Sequence, residues 1–181
     1  MSYVAVYHVS TPDTPNKVLT HFDDMSALLA EQGVGFDRLQ VAVRVEPGAA
    51  QADVIATCRE PIDKLMTGRG YAAVDVISCS NDYGSNAERR AEFLDEYRHG
   101  GDEVRWFVAG RGLFTLRIGE YIYSIQCEKN DLLSVPSGTP RWFDIGENPS
   151  VVAIRLFKNT EDQVAYLTGD DIASRFPRLD D

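Results

Sequence analysis

The chain is poor in positive charge, in cysteine and in histidine, and it has no long apolar run. Eighteen Lys and Arg stand against 28 Asp and Glu, a formal net charge of -10. That balance argues against nonspecific binding to nucleic acid or to an anionic membrane, both of which need basic footprints. It leaves room for a small anionic substrate held by a few buried arginines. The three cysteines, Cys58, Cys79 and Cys127, are far apart and form no Cys-x2-Cys pair. They read as reduced, mostly buried thiols of a cytoplasmic protein, ahead of a disulfide or a thiol nucleophile. No stretch approaches about 18 apolar residues, so no membrane span is expected. The N-terminus lacks a basic segment followed by an apolar run, so no signal peptide is expected. Histidine occurs only as His8, His21 and His99.

What is present suits one domain with a substantial core: 181 residues, 44% hydrophobic and 25% charged. Residues 3–9 alternate like a strand. Asp23 or Asp24 can cap a helix through Gln32, with Met25, Leu28 and Leu29 at helical spacing and Gly33 or Gly35 ending it. Residues 38–45 read as a second strand. Across 49–66, Val54, Ile55, Cys58, Ile62 and Leu65 mark an apolar helix face, which Pro61 should kink or split. Residues 72–78 read as a strand, and Ser85 with Glu88 fits a capping box for a short helix toward Leu94. Past residue 100 the texture changes to five short β-type runs, 104–108, 113–118, 121–127, 132–135 and 151–157. Turn chemistry separates them, including Gly110-x-Gly112 and Gly119-Glu120. Such evenly spaced strands predict a closed or sandwiched antiparallel structure. Asp170 or Asp171 can cap a last short helix.

One stretch concentrates chemistry. If residues 97–105 are extended, Tyr97, His99, Gly101, Glu103 and Arg105 share a face, while Val104, Trp106 and Val108 share the apolar one. A Gly100-Gly101 bulge would shift that phase. Inward ionisable groups are expensive unless paired, coordinated or wet, so a metal, a ligand or a structural ion pair are their natural uses. An exposed polar face, with Glu103 and Arg105 as a surface pair, would give the same pattern. Pro136-x-Gly138-x2-Arg141 weighs against it, because it fits a turn that returns a cation to the same cavity.

His99, Glu103 and Gly110 at His-x3-Glu-x6-Gly, with Pro136, Gly138 and Arg141, resemble the two halves of the cupin signature. That signature supplies three His and one Glu to a metal. The likeness extends to the acireductone dioxygenase family. His99-Gly100-Gly101-Asp102-Glu103-Val104-Arg105 resembles its His-Gly-x-Asp-Glu-Val-Arg segment, and residues 127–136 resemble its approach to the last ligand. Thr139-Pro140-Arg141-Trp142-Phe143-Asp144 is similar to its Thr-Pro-His-Trp-Phe-Asp, and 168–173 resemble its C-terminal segment. The resemblance implies a mainly β fold, a cupin double-stranded β-helix (jelly-roll) barrel with flanking helices in the N-terminal part and a short C-terminal helix. Residues 1–181 would be a single cupin domain: a mixed α/β flank (1–95), core barrel motifs (96–160) and a C-terminal segment (161–181). It also implies oxidation of an acireductone by dioxygen with Fe(II) or Ni(II). Arg105 would help form the substrate dianion, and Phe93 and Phe143 would line the cavity; the acidic neighbours Glu96 and Asp102 match too.

Two ligand positions depart from the family. Tyr97 stands at the first His and Arg141 at the last, and neither His8 nor His21 sits in the barrel motifs. A guanidinium cannot ligate a divalent ion. The leading expectation is therefore a diverged, metal-independent enzyme with no cofactor. It would carry out acid–base chemistry (isomerisation, cyclisation, elimination or decarboxylation) on a small oxygenated anion, and the ligand changes tilt it toward specialised metabolism. Its catalytic set would be His99, Glu103, Arg141, Tyr97 and Arg105, with Phe93, Arg105, Phe143 and Arg141 binding substrate. One alternative is an acireductone dioxygenase of methionine salvage with a reduced Fe(II) or Ni(II) ligand set, His99 and Glu103. Another is a noncatalytic small-molecule binder. Expected partners are a small molecule, no nucleic acid and no membrane, in a monomer or small homo-oligomer.

Overall fold

The computed structural model describes residues 1–82 and 86–181. Among them the chain order is β1 (Tyr3–His8), β2 (Lys17–Leu19), α1 (Phe22–Glu31), β3 (Gly35–Arg38), α2 (Gln51–Thr57), α3 (Arg59–Arg69), β4 (Ala73–Ser80), α4 (Asn86–Leu94), β5 (Tyr97–His99), β6 (Glu103–Ile118), β7 (Tyr121–Glu128), β8 (Asp131–Val135), β9 (Arg141–Asp144), β10 (Ser150–Phe157) and β11 (Ala165–Leu167). Two 3-10 turns, Thr160–Gln163 and Ile172–Arg175, flank β11. The result is a mainly β, antiparallel jelly-roll of the cupin type, as the motifs predict.

β6 organises it. Its first half pairs with β10 and β8, its second half with β7 and β9. One sheet therefore runs β11-β5-β9-β6-β7-β1-β2, and the other runs β4-β10-β6-β8-β3. The sequence reading placed a turn at Gly110-x-Gly112; the strand instead passes through and bends. Gly110 has φ +67°, and a Cβ there would run into the Ser150 main chain, while a Cβ on Gly112 would meet the Phe143 ring. Both glycines serve a strand corner rather than a chain reversal.

Alternation then sorts the side chains of β6. Val104, Trp106 and Val108 pack outward against Val54 of α2 and Ile62 of α3. Phe107, Phe114 and Leu116 join Val4, Phe36, Ile125, Leu133 and Phe143 inside the barrel. A third cluster, behind the first sheet, sets Tyr7, Ile122 and Trp142 against Phe176.

Other expectations need adjusting. The predicted strand at 38–45 ends at Arg38, because the β3–β8 ladder stops at Asp131. Beyond it Leu39 and Val41 donate instead to the main chain and side chain of Asn130. The helix across 49–66 does divide, at Cys58 and not at Pro61. Pro61 falls in the first turn of α3, where a missing N–H costs nothing. α1 is preceded by His21, so neither Asp23 nor Asp24 is its cap. The Ser85 cap lies outside the described residues. β9 and β11 were not anticipated at all. Asp170 accepts from the Ile172 N–H at 2.9 Å, as foreseen for the last turn. All three cysteines are free and buried, and among the described residues no helix is long and apolar enough to cross a membrane.

Candidate active site

β5, β6 and β9 deliver the expected side chains to one place inside the barrel. The extended run predicted for 97–105 is interrupted at 100–102, yet Tyr97, His99, Glu103, Arg105 and Arg141 all converge and all are buried. The two residues that depart from the family pattern are direct cross-strand partners, Tyr97 opposite Arg141.

Glu103 is the centre. Arg105 grips it with Nε on Oε2 at 2.6 Å and Nη2 on Oε1 at 3.3 Å. Arg141 adds Nη1 on Oε1 at 3.0 Å. Burial alone would push the Glu103 carboxyl up, but Arg105 first and Arg141 second overcome it and hold it at about 2. Glu103 is shared unequally. Burial pulls both guanidinium groups down; the two-pronged grip of the carboxylate more than offsets this for Arg105, whose pKa is raised. Arg141, with its single contact to Glu103, stays below its ordinary value. Its other donors go to main-chain carbonyls, Nε to Thr139 at 3.0 Å and Nη2 to Pro136 at 3.2 Å. That turn is tied to β5 by the Gly138 N–H on the His99 carbonyl. Arg141 is therefore a constructed feature of the site and not a side chain folded in by chance.

Arg105 lies in the corner formed by the perpendicular rings of Phe114 and Phe143, 4.0 and 4.8 Å from their centroids, and donates to the Tyr97 hydroxyl at 3.3 Å. Phe93 meets Phe143 edge-on at 6.1 Å. Burial lowers the pKa of His99, Glu103 working against the shift, so its imidazole is neutral. Two buried polar atoms here have no partner: His99 Nε2, 3.9 Å from Glu103 Oε1, and Arg105 Nη1. A cavity of about 170 Å³ reaches Glu103 between Gly33, Tyr71, Asp102 and Pro136.

Of the acidic neighbours, Glu96 is committed elsewhere, to Arg117 at 2.6 and 2.7 Å and to the Thr168 hydroxyl. Asp102 caps the Ser137 N–H and pairs with Lys158. His8 binds Ser10 and faces Glu120, and His21 precedes α1, so neither joins the site. Sequence reasoning missed Tyr71 and Gly33 at the cavity, and the carbonyls of Asp162 and Val164 that hold His99 at 2.9 and 3.1 Å. A main-chain acceptor has no residue signature, so no signal pointed to them.

The description "ARD/ARD' family" fits residues 4–165 of this chain. The chain belongs to that family. Acireductone dioxygenases of Pseudomonas fluorescens (strain Pf0-1), Stutzerimonas stutzeri and Pseudomonas aeruginosa (strain UCBPP-PA14) are 64%, 58% and 55% identical to it over the whole of both chains. Among solved ARD structures, an acireductone dioxygenase from Bacillus anthracis with a cadmium ion in its active center superposes with TM-score 0.77 at 28% identity. That match covers 91% of this chain and 97% of that one.

These likenesses correct the expectation of a cofactor-free site. It weighed two changed ligand positions against a scaffold that is otherwise intact end to end. A relative with the same fold holds a divalent ion in its active center, and the two unchanged donors, His99 and Glu103, still lie together. The residues fit an ion in part. Among the described residues no group of three or more His, Cys, Asp and Glu is arranged to hold a metal. The vacant face of His99 Nε2 beside a carboxylate nevertheless supplies two donors of the right chemistry.

Proposed function

We propose that this ARD-family chain is an acireductone dioxygenase that works with a reduced set of protein ligands, His99 and Glu103. The observation that carries the reading is the partnerless His99 Nε2 turned toward Glu103 inside a site where nearly every other polar atom is paired. The high identity to named dioxygenases favours this over the metal-independent acid–base chemistry expected first. Fe(II) or Ni(II), when bound, would supply the Lewis acidity and the reactivity toward dioxygen that side chains lack.

The chain's own residues then bind and orient. One carboxylate between two guanidinium groups, beside a neutral imidazole, leaves a buried positive charge uncompensated. A small enediolate would neutralise it. Arg105 Nη1 is the free N–H for a substrate oxygen, and Arg105 is locked for that task by Glu103 and two phenyl faces. The Tyr97 hydroxyl accepts from Arg105, so its own proton can go to a second oxygen. Phe93 and Phe143 exclude water from that side. Buried free thiols support a reducing, cytoplasmic setting for the enzyme.

Oxygen uptake with a synthetic acireductone, measured alongside metal content, tests the reading. Uptake that is lost to chelator and returns with Fe(II) or Ni(II) supports it. No uptake by the metal-loaded protein, or turnover indifferent to chelator, contradicts it.

A further inference from the structure

The chain between β10 and β11 folds over the edge of the site and decides which nitrogen of His99 faces inward. Asn159 caps the 3-10 turn Thr160–Gln163, its Oδ1 accepting from the Asp162 N–H at 3.1 Å. β11 then runs antiparallel to β5, with Ala165 opposite His99. This corner brings the carbonyl oxygens of Asp162 and Val164 to 2.9 and 3.1 Å from His99 Nδ1. A carbonyl oxygen only accepts, so Nδ1 must carry the hydrogen, shared between the two. The lone pair of the neutral ring is thereby left on Nε2, the atom with no partner that faces Glu103. The opposite tautomer would set a ring lone pair against two carbonyl oxygens in a buried site, losing both bonds.

Gly101 makes this approach possible. A Cβ at that position would overlap the Asp162 carboxylate, so a larger residue has to turn that side chain aside, and where the side chain is held it moves the corner with it. Gln163 anchors the far side of the same turn through Asp75.

We propose that residues 159–164 form a tautomer clamp, in which the main-chain carbonyls of Asp162 and Val164 hold His99 as the Nδ1–H form with its Nε2 lone pair presented to the site. Asn159 and Gly101 are its positioning residues. The clamp deepens the dioxygenase reading, since only a bare Nε2 can donate to an ion or accept a substrate proton. It is nonetheless a property of the metal-free protein.

Its test needs neither metal nor substrate, and so fails or succeeds separately from the enzyme activity. The protein is labelled with 15N-histidine, and long-range 1H–15N correlations are recorded well above the ordinary histidine pKa. His99 is assigned as the signal that survives in both His8→Gln and His21→Gln. A pyrrole-type Nδ1 and a pyridine-type Nε2 are expected in the parent. Asn159→Ala and Gly101→Ala should move His99 toward the other tautomer or into exchange between the two, and Asn159→Asp, which keeps the capping oxygen, should restore the parent pattern. An Nε2–H signature in the parent overturns the clamp outright, a result that no folding defect in a variant can obscure. Unaltered spectra in both Asn159→Ala and Gly101→Ala would overturn the roles of those two residues.

Discussion

Replacing Arg141 should strengthen metal binding, which is the reverse of what removing an active-site residue ordinarily does. Its Nη1 lies 3.0 Å from Glu103 Oε1, on the oxygen an ion would need. Unit charges 4 Å apart at an effective dielectric of about 20 interact by about 4 kcal/mol, so a dication at that distance from the guanidinium is disfavoured by about 8 kcal/mol. The side chain can retreat, but it then gives up three hydrogen bonds, to Glu103, Thr139 and Pro136. At about 1 kcal/mol each, that retreat alone costs about 3 kcal/mol, or about a hundredfold in affinity. Arg141→Gln removes the charge without adding a good ligand and should tighten Ni(II) binding by about that factor, read by competition with a chromophoric chelator. Arg141→His adds a donor and should tighten it further, and Tyr97→His with Arg141→His further still. Thermal unfolding of each variant checks that the barrel persists. If Arg141→Gln binds Ni(II) no more tightly than the parent, the guanidinium is not competing with the metal and the argument fails.

The metal-free protein should lose stability in acid. The Glu103 carboxyl is held at about 2 in the folded chain against 4.5 ordinarily, so its contribution is complete above about 4.5 and disappears as pH falls toward 2; the shift corresponds to roughly 3 kcal/mol, readable from urea midpoints. Asp144, which burial pushes up but Arg90 and the Leu179 and Gly146 amides hold low, acts in the same direction, and a midpoint flat across that range would be inconsistent with both. Gly110→Ala should destabilise the fold by more than about 1 kcal/mol, since it combines a positive φ with a collision at Ser150; a neutral effect in chemical denaturation would refute the strand corner. Glu96→Ala should cost about 1–3 kcal/mol by removing the buried partner of Arg117 and Thr168, Arg117 keeping Asp170 at 3.6 Å and some access to solvent, while leaving the KM for acireductone unchanged, and a raised KM would return Glu96 to the site.

Much of the site was legible because it rests on strand alternation and turn chemistry. Glu103, Arg105 and Phe107 face inward on β6 while Val104, Trp106 and Val108 face the helices, a sorting the period of two predicts. The cation returned by Pro136-x-Gly138 was legible for the same kind of reason. Illegible features depend on contacts distant in sequence. Gly110 and Gly112 look like a turn, and only the approach of Ser150 and Phe143 shows why the strand continues. β9 is four residues long, directly after Pro140, and is a strand because β5 and β6 pair with it, not through its own composition. Val41 has the residues of a strand around it, but its N–H is captured by the Asn130 side chain. The cofactor was misjudged because two changed ligand positions were weighed above the likeness of the rest of the chain to acireductone dioxygenases, and the orientation of His99 Nε2, set by contacts to two main-chain carbonyls, has no residue signature.

The central claim, that His99 and Glu103 remain a ligand pair, is tested most directly by anomalous diffraction from crystals of the unaltered protein grown with Ni(II). The account predicts a nickel peak within bonding distance of His99 Nε2 and a Glu103 oxygen, with Arg141 displaced from that carboxylate. No peak there, with Arg141 still on Glu103 under saturating Ni(II), would contradict it.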